Sequence, residues 1–176
     1  MTTLAPTPGQ TVGPFFGFAL PYDAGSELVP PTRPDAVRLH GRVLDGHGDP
    51  VPDALLELWQ PGPDGRVVQR QGSFARDSYT FTGWGRAATD RTGRYRFSTL
   101  RPGGTPPYFA ITVLARGLLD RLFTRAYLPG TLDDRLPDVP AERRHTIVAE
   151  ADDRGFVFDI RLQGEDETVF FSYTQD

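Results

Sequence analysis

Cysteine is absent from the 176-residue chain. That removes disulfides, thiol nucleophiles and thiolate metal sites together, and it fits a reducing, cytoplasmic setting. Lysine is absent too, so all 19 basic residues are arginines, permanently charged and shaped to grip carboxylates. Histidine is scarce. The three are His40 in an alternating run, His47 in a turn and His145 beside two arginines, and no two have the i, i+2 or i, i+4 spacing of a metal site on one element. Nowhere do about 18 apolar residues run together, and residues 1–20 place no basic segment ahead of their apolar stretch. Neither a membrane span nor a signal peptide is therefore expected. A net charge of -4 opposes the phosphate neutralisation that dominates nucleic-acid affinity, so nucleic acid is not an expected partner. Serine-hydrolase, nucleotide and dinucleotide motifs are missing from any strand-to-helix context.

Glycine and proline are plentiful, at 19 and 17 residues. They interrupt helices every few positions and leave short apolar runs between turns. Residues 37–44 alternate Val37, Leu39, Gly41 and Val43 with Arg38, His40 and Arg42, the period of a half-buried strand. After the turn 45–50, residues 54–60 read as a second strand, and the two together predict a hairpin. Tyr95 and Phe97 alternate with Arg94 and Arg96 in a third. Further strands are expected over 108–114, 122–128, 146–150, 156–162 and 169–173, with helical turns confined to 116–122 or 138–144. Many short strands at this spacing predict an all-β, antiparallel β-sandwich over 37–176, preceded by an irregular N-terminal arm, 1–36.

The arm carries Phe15, Phe16 and Phe18. Aromatic rings bury on the order of 150–250 Å² each when packed, worth several kcal/mol at about 25 cal/mol per Å². An arm of this kind is expected to lie against its own sandwich or against another chain. Arg116, just past an apolar run, and Arg125, inside one, are cations in settings where an unpaired charge is costly. Each needs an acidic partner, supplied by an aspartate of this chain, a ligand carboxylate or a partner chain.

The run Leu39-His40-Gly41-Arg42-Val43-Leu44-Asp45, followed by Ala54-Leu55-Leu56-Glu57-Leu58-Trp59-Gln60, resembles the intradiol ring-cleavage dioxygenases. Gly85-Arg86-Ala87-Ala88-Thr89-Asp90, Leu100-Arg101-Pro102-Gly103 and Phe158-Asp159-Ile160-Arg161-Leu162-Gln163-Gly164-Glu165 extend the likeness over nearly the whole chain. The arm segment Thr7-Pro8-Gly9-Gln10-Thr11-Val12-Gly13-Pro14 and the stretch Leu114-Ala115-Arg116-Gly117 resemble the alpha subunit of the family's two-chain members.

Catalytic members hold ferric ion with two tyrosines and two histidines, and here the matching positions read Val67, Thr105, Tyr108 and Ala110. One tyrosinate without imidazole partners cannot hold Fe(III) in a defined site. The resemblance thus implies no metal ligand and no catalytic residue in this chain, with Fe(III) on a homologous beta subunit and several alpha-beta pairs in a larger oligomer. It also implies that Thr11, Gly13, Pro14 and Arg116 line the cavity for a catecholic acid. The alternative is a stand-alone sandwich that binds a ligand or protein without a part in catalysis.

Overall fold

The computed structural model describes residues 13, 16–68, 70, 74, 76–132 and 139–173. Within them, the alternating runs form two sheets. After a four-residue helix, α1 (Phe16–Ala19), the strands are β1 (Ala36–Leu44), β2 (Leu55–Trp59), β3 (Trp84–Ala88), β4 (Arg94–Leu100), β5 (Tyr108–Leu114), β6 (Leu122–Tyr127), β7 (Glu150–Asp152), β8 (Gly155–Val157) and β9 (Ile160–Arg161). One sheet has the order β4-β1-β8-β7, with β9 also pairing with β1, and the other β3-β2-β5-β6. Leu39, Val43, Phe97, Phe156 and Ile160 of the first sheet meet Leu56, Leu58, Phe109, Ile111 and Val113 of the second in one core. The all-β sandwich expected from the sequence is the fold observed. No helix among the described residues is long and apolar enough to cross a membrane.

Several local expectations are corrected. β1 and β2 are not a hairpin: β1 lies between β4 and β8, β2 lies between β3 and β5, and the 45–54 connection turns the corner between sheets. Residues 141–147 form a 3-10 helix, with strand only from Glu150. Residues 116–121 make turns and bends rather than a helix, with Leu122 already opening β6, and the strand expected over 169–173 is a single bridge from Phe171 to Phe123.

The second sheet is antiparallel throughout, whereas β1 takes β8 and β9 in parallel. Between those two pairings the chain steps across Gly41. Phe158 donates its N–H to the His40 carbonyl at 2.8 Å, and the Arg42 N–H donates to Asp159 Oδ1 at 2.8 Å. The buried Tyr95 hydroxyl donates to the Phe158 carbonyl at 2.6 Å, and burial, followed by the nearby Asp159 charge, pushes its pKa well up, so it remains a donor. A Cβ on Gly41 would lie 2.0 Å from that same carbonyl oxygen, so only glycine fits the step.

Part of the arm lies along the sandwich as a strap. Ser98 of β4 receives N–H bonds from Leu28 and Val29 and donates its own to Ser26. Leu28 and Val29 are buried, and Leu28 lies over Gly85, where a Cβ would come within 2.5 Å of its Cδ1. The free side of β4 is thereby covered at Ser98, which protects part of an otherwise open edge.

Candidate functional site

The pairing of Leu55 with Leu114 in β2 and β5 sets up the first cluster. Continued two residues past the strands, that register brings Asp53 opposite Arg116, and the Arg116 guanidinium donates to Asp53 Oδ2. The aspartate needed by Arg116 is thus supplied from the corner between the sheets. Sequence alone pointed to an acidic partner but could not choose it, because the choice depends on this register. Asp53 holds a φ of 62° at the head of β2, and Gly117 a φ of 88° after Arg116.

The arm reaches the same place. The Gly13 carbonyl accepts the Phe16 N–H at 3.1 Å and opens α1, and a Cβ on Gly17 would lie 3.8 Å from that of Asp53. Gly13 therefore leads directly into a turn seated beside the Asp53–Arg116 pair. Phe16 is buried while Phe18 is 86% exposed. Thr11 and Pro14 lie outside the described residues, as does Phe15.

The Arg116 side chain is 65% exposed and that of Asp53 36%. An ion pair this open contributes at most about 1 kcal/mol. Arg116 can therefore exchange Asp53 for the carboxylate of a ligand or partner at little cost.

The second cluster contains the positions matched to iron ligands. The Gly103 N–H donates to the Gly62 carbonyl at 3.0 Å, and a Cβ on Gly65 would lie 2.9 Å from the Gly104 nitrogen. The loops leading to Val67 and Thr105 therefore meet close to the start of β5. On the outer face of β5, Tyr108 and Ala110 stand opposite Tyr127 and Arg125 of β6. The Arg125 guanidinium lies 4.6 Å from the centre of the Tyr108 ring and 5.3 Å from that of Phe171, and donates to the Tyr127 hydroxyl at 3.1 Å.

No carboxylate of the described residues supplies the acidic partner expected for Arg125. Aromatic faces and phenol oxygens take that role. Burial opposes the Arg125 charge, but the Tyr127 hydrogen bond and the surrounding phenols outweigh it and leave the pKa above the ordinary guanidinium value.

The residues at the matched positions do not fit a ferric ion. Val67 and Ala110 carry no donor, and Tyr108, the one phenol, already faces the Arg125 cation. Among the described residues, no three His, Cys, Asp or Glu side chains form a metal-holding group.

The two-sheet sandwich agrees with what comparison with known proteins finds. The dioxygenase family model matches residues 13–132. The chain belongs to the intradiol dioxygenase family. It is 39% identical to the protocatechuate 3,4-dioxygenase alpha chain of Burkholderia cepacia, over 97% of this chain and 99% of that one. It is 32% identical to the beta chain of the enzyme from the same organism, over 73% of this chain and 64% of that one. Among solved structures, the dioxygenase domain of a dioxygenase carbohydrate-binding protein fusion from Streptomyces sp. SirexAA-E shares the fold, with a TM-score of 0.57 at 24% identity, over 92% of this chain and all of that one.

Proposed function

We propose that this chain is the metal-free alpha subunit of a protocatechuate 3,4-dioxygenase, an enzyme that uses O2 to open protocatechuate between its hydroxyl-bearing carbons, giving 3-carboxy-cis,cis-muconate. The observation that carries the reading is the end-to-end match to an alpha chain. The absence of any imidazole at the four matched positions, with no donor at all at Val67 and Ala110, supports it. In this reading a homologous beta chain holds the Fe(III), alpha-beta pairs assemble further in the cytoplasm, and residues 1–36 are an interface arm on the 37–176 sandwich.

Thr11, Gly13 and Pro14 would border the substrate cavity, with Gly13 allowing close approach and Pro14 stiffening the arm. Arg116 would meet the substrate carboxylate by leaving Asp53. The end-to-end likeness to an enzyme subunit favours this reading over a stand-alone binding module.

Co-expression tests the proposal. With a homologue carrying the Tyr, Tyr and His-x-His set, the chain should yield a coloured, iron-containing complex that cleaves protocatechuate. A colourless monomer indifferent to that partner would reject the subunit role, and ring opening by the chain alone would reject its metal-free character. Within the complex, Arg116→Ala should reduce kcat/KM by the equivalent of about 1–3 kcal/mol, the loss of a charge-assisted contact, with iron content unchanged. Unchanged turnover would remove Arg116 from the cavity.

A further inference from the structure

The outer face of the β4-β1-β8 sheet collects arginines that no carboxylate bonds among the described residues, although Arg94 lies near enough to Asp90 to help hold that carboxyl's pKa down after its Thr92 and backbone bonds. β1 turns Arg38, His40 and Arg42 to this face between the buried Leu39, Gly41 and Val43, and β4 turns Arg94 and Arg96 to it between the buried Tyr95 and Phe97. The register sets Arg42 directly opposite Arg94, an unfavourable like-charge pair, and His40 directly opposite Arg96. His40 is bonded to Asp152 at 2.9 Å. Arg38, Arg42, Arg94 and Arg96 make no side-chain hydrogen bond or ion pair among the described residues. Elsewhere in this acidic chain arginines do meet carboxylates, Arg33 with Asp35, Arg86 with Glu57 and Arg116 with Asp53.

Three of the four line a walled space. Arg38, Arg94 and Arg96 border a cleft of about 710 Å³ whose far wall is the strap, residues 21, 22 and 24–27. That volume lies in the usual range for small-ligand sites, about 300–1,000 Å³. Five arginines line it against two carboxylates, Glu27 and Asp90; two of the five, Arg86 and Arg154, pair with Glu57 and Asp153, which leaves Arg38, Arg94 and Arg96 without an ion pair among the described residues. Asp90 is already engaged by Thr92 and by the Arg94 N–H. Arg96 lies two residues from Arg94 along β4 and diagonally across from Arg38 on β1, separations of roughly 7–8 Å that long side chains close readily.

We propose that this cleft binds a small, multiply charged oxyanion, a polycarboxylate or a phosphate, through Arg38, Arg94 and Arg96. The net charge of -4 works against a large polyanion at long range. Bidentate contacts inside a walled cleft serve a small one. Arg38, Arg94 and Arg96 lie on the opposite sheet from the strands that position Arg116, and the proposal stands independently of the proposed subunit role.

Calorimetric titration of the full chain at low salt, with citrate and separately with inorganic pyrophosphate, tests it. Saturable binding of citrate assigns the site to carboxylates, binding of pyrophosphate to phosphates, and binding of both to oxyanions in general. The Arg38→Ser/Arg96→Ser double variant should bind about tenfold more weakly or worse, since charge-assisted contacts are lost. It should keep its melting temperature because neither arginine has a partner to lose, and Arg66→Ser, on a distant loop, should bind as the parent does. Failure of both anions to bind at millimolar concentration overturns the proposal, as does equal binding by parent and double variant. Loss of subunit assembly in a double variant whose parent binds neither anion would make the face a protein interface instead.

Discussion

Gly41→Ala is expected to destabilise the protein by about 3 kcal/mol or more, the scale of a backbone clash inside a core. For a chain of this size that lowers the melting temperature by roughly 6–12 °C. The new methyl carbon would lie 2.0 Å from the Phe158 carbonyl oxygen and 2.6 Å from its carbon. That peptide cannot swing aside freely, because its oxygen accepts the Tyr95 hydroxyl and the Phe158 N–H is committed to His40. Relief requires breaking either the Tyr95 bond or the parallel pairing of β1 with β8 and β9. Gly17→Ala is the matched control, since its Cβ meets nothing closer than 3.8 Å and should cost little. Thermal unfolding of the two variants checks the difference, and equal melting temperatures would show that the step across Gly41 is not tightly held.

Gln60→Ala should cost about 2–4 kcal/mol, the sum of lost packing and stranded polar groups. Gln60 follows β2 in one sheet and reaches β4 in the other. Its Oε1 accepts the Thr99 hydroxyl at 2.6 Å and its Nε2 donates to the Leu100 carbonyl at 2.8 Å, with the side chain fully buried. Removing it leaves the Thr99 hydroxyl and the Leu100 carbonyl without that partner inside the core. Adding Thr99→Val removes one of those groups, so the double variant should lose less than the sum of the two single losses. Strict additivity in denaturant unfolding would show that the two side chains do not act as a unit.

The strands legible in the sequence are those whose alternation reports one buried face. β1, β4 and β5 follow their apolar periods closely. β3 escaped notice because its buried positions are Gly85 and Ala87, small residues that admit Leu28 of the strap and so carry no apolar signal. The hairpin was misread because the turn over 45–50 is genuine, yet local turn chemistry does not say which sheet the next strand will join. Distant residues decide that: β4 and β8 already occupy both sides of β1.

The same limit applies at the candidate site. Arg116 could be seen to need an acid, but Asp53 emerges only from the β2-β5 register. For Arg125 the surroundings within this chain emerge only from the fold, which supplies tyrosine and phenylalanine faces to the guanidinium. The gaps at two of the matched positions were legible from residue identity alone, because Val67 and Ala110 have no donor in any conformation.

The parallel pairing of β1 with β8 and β9 has a consequence for synthesis. β1 spans residues 36–44, yet its partners on one side are residues 155–157 and 160–161. A growing polypeptide on the ribosome can pair β1 with β4 long before those residues emerge, so the other flank of β1 stays bare until residues 155–161 have been made. Contacts this remote in sequence slow folding, and a bare flank on a nascent strand invites pairing with a neighbouring chain. Truncation ahead of β8 would therefore leave an aggregation-prone product rather than a shorter sandwich.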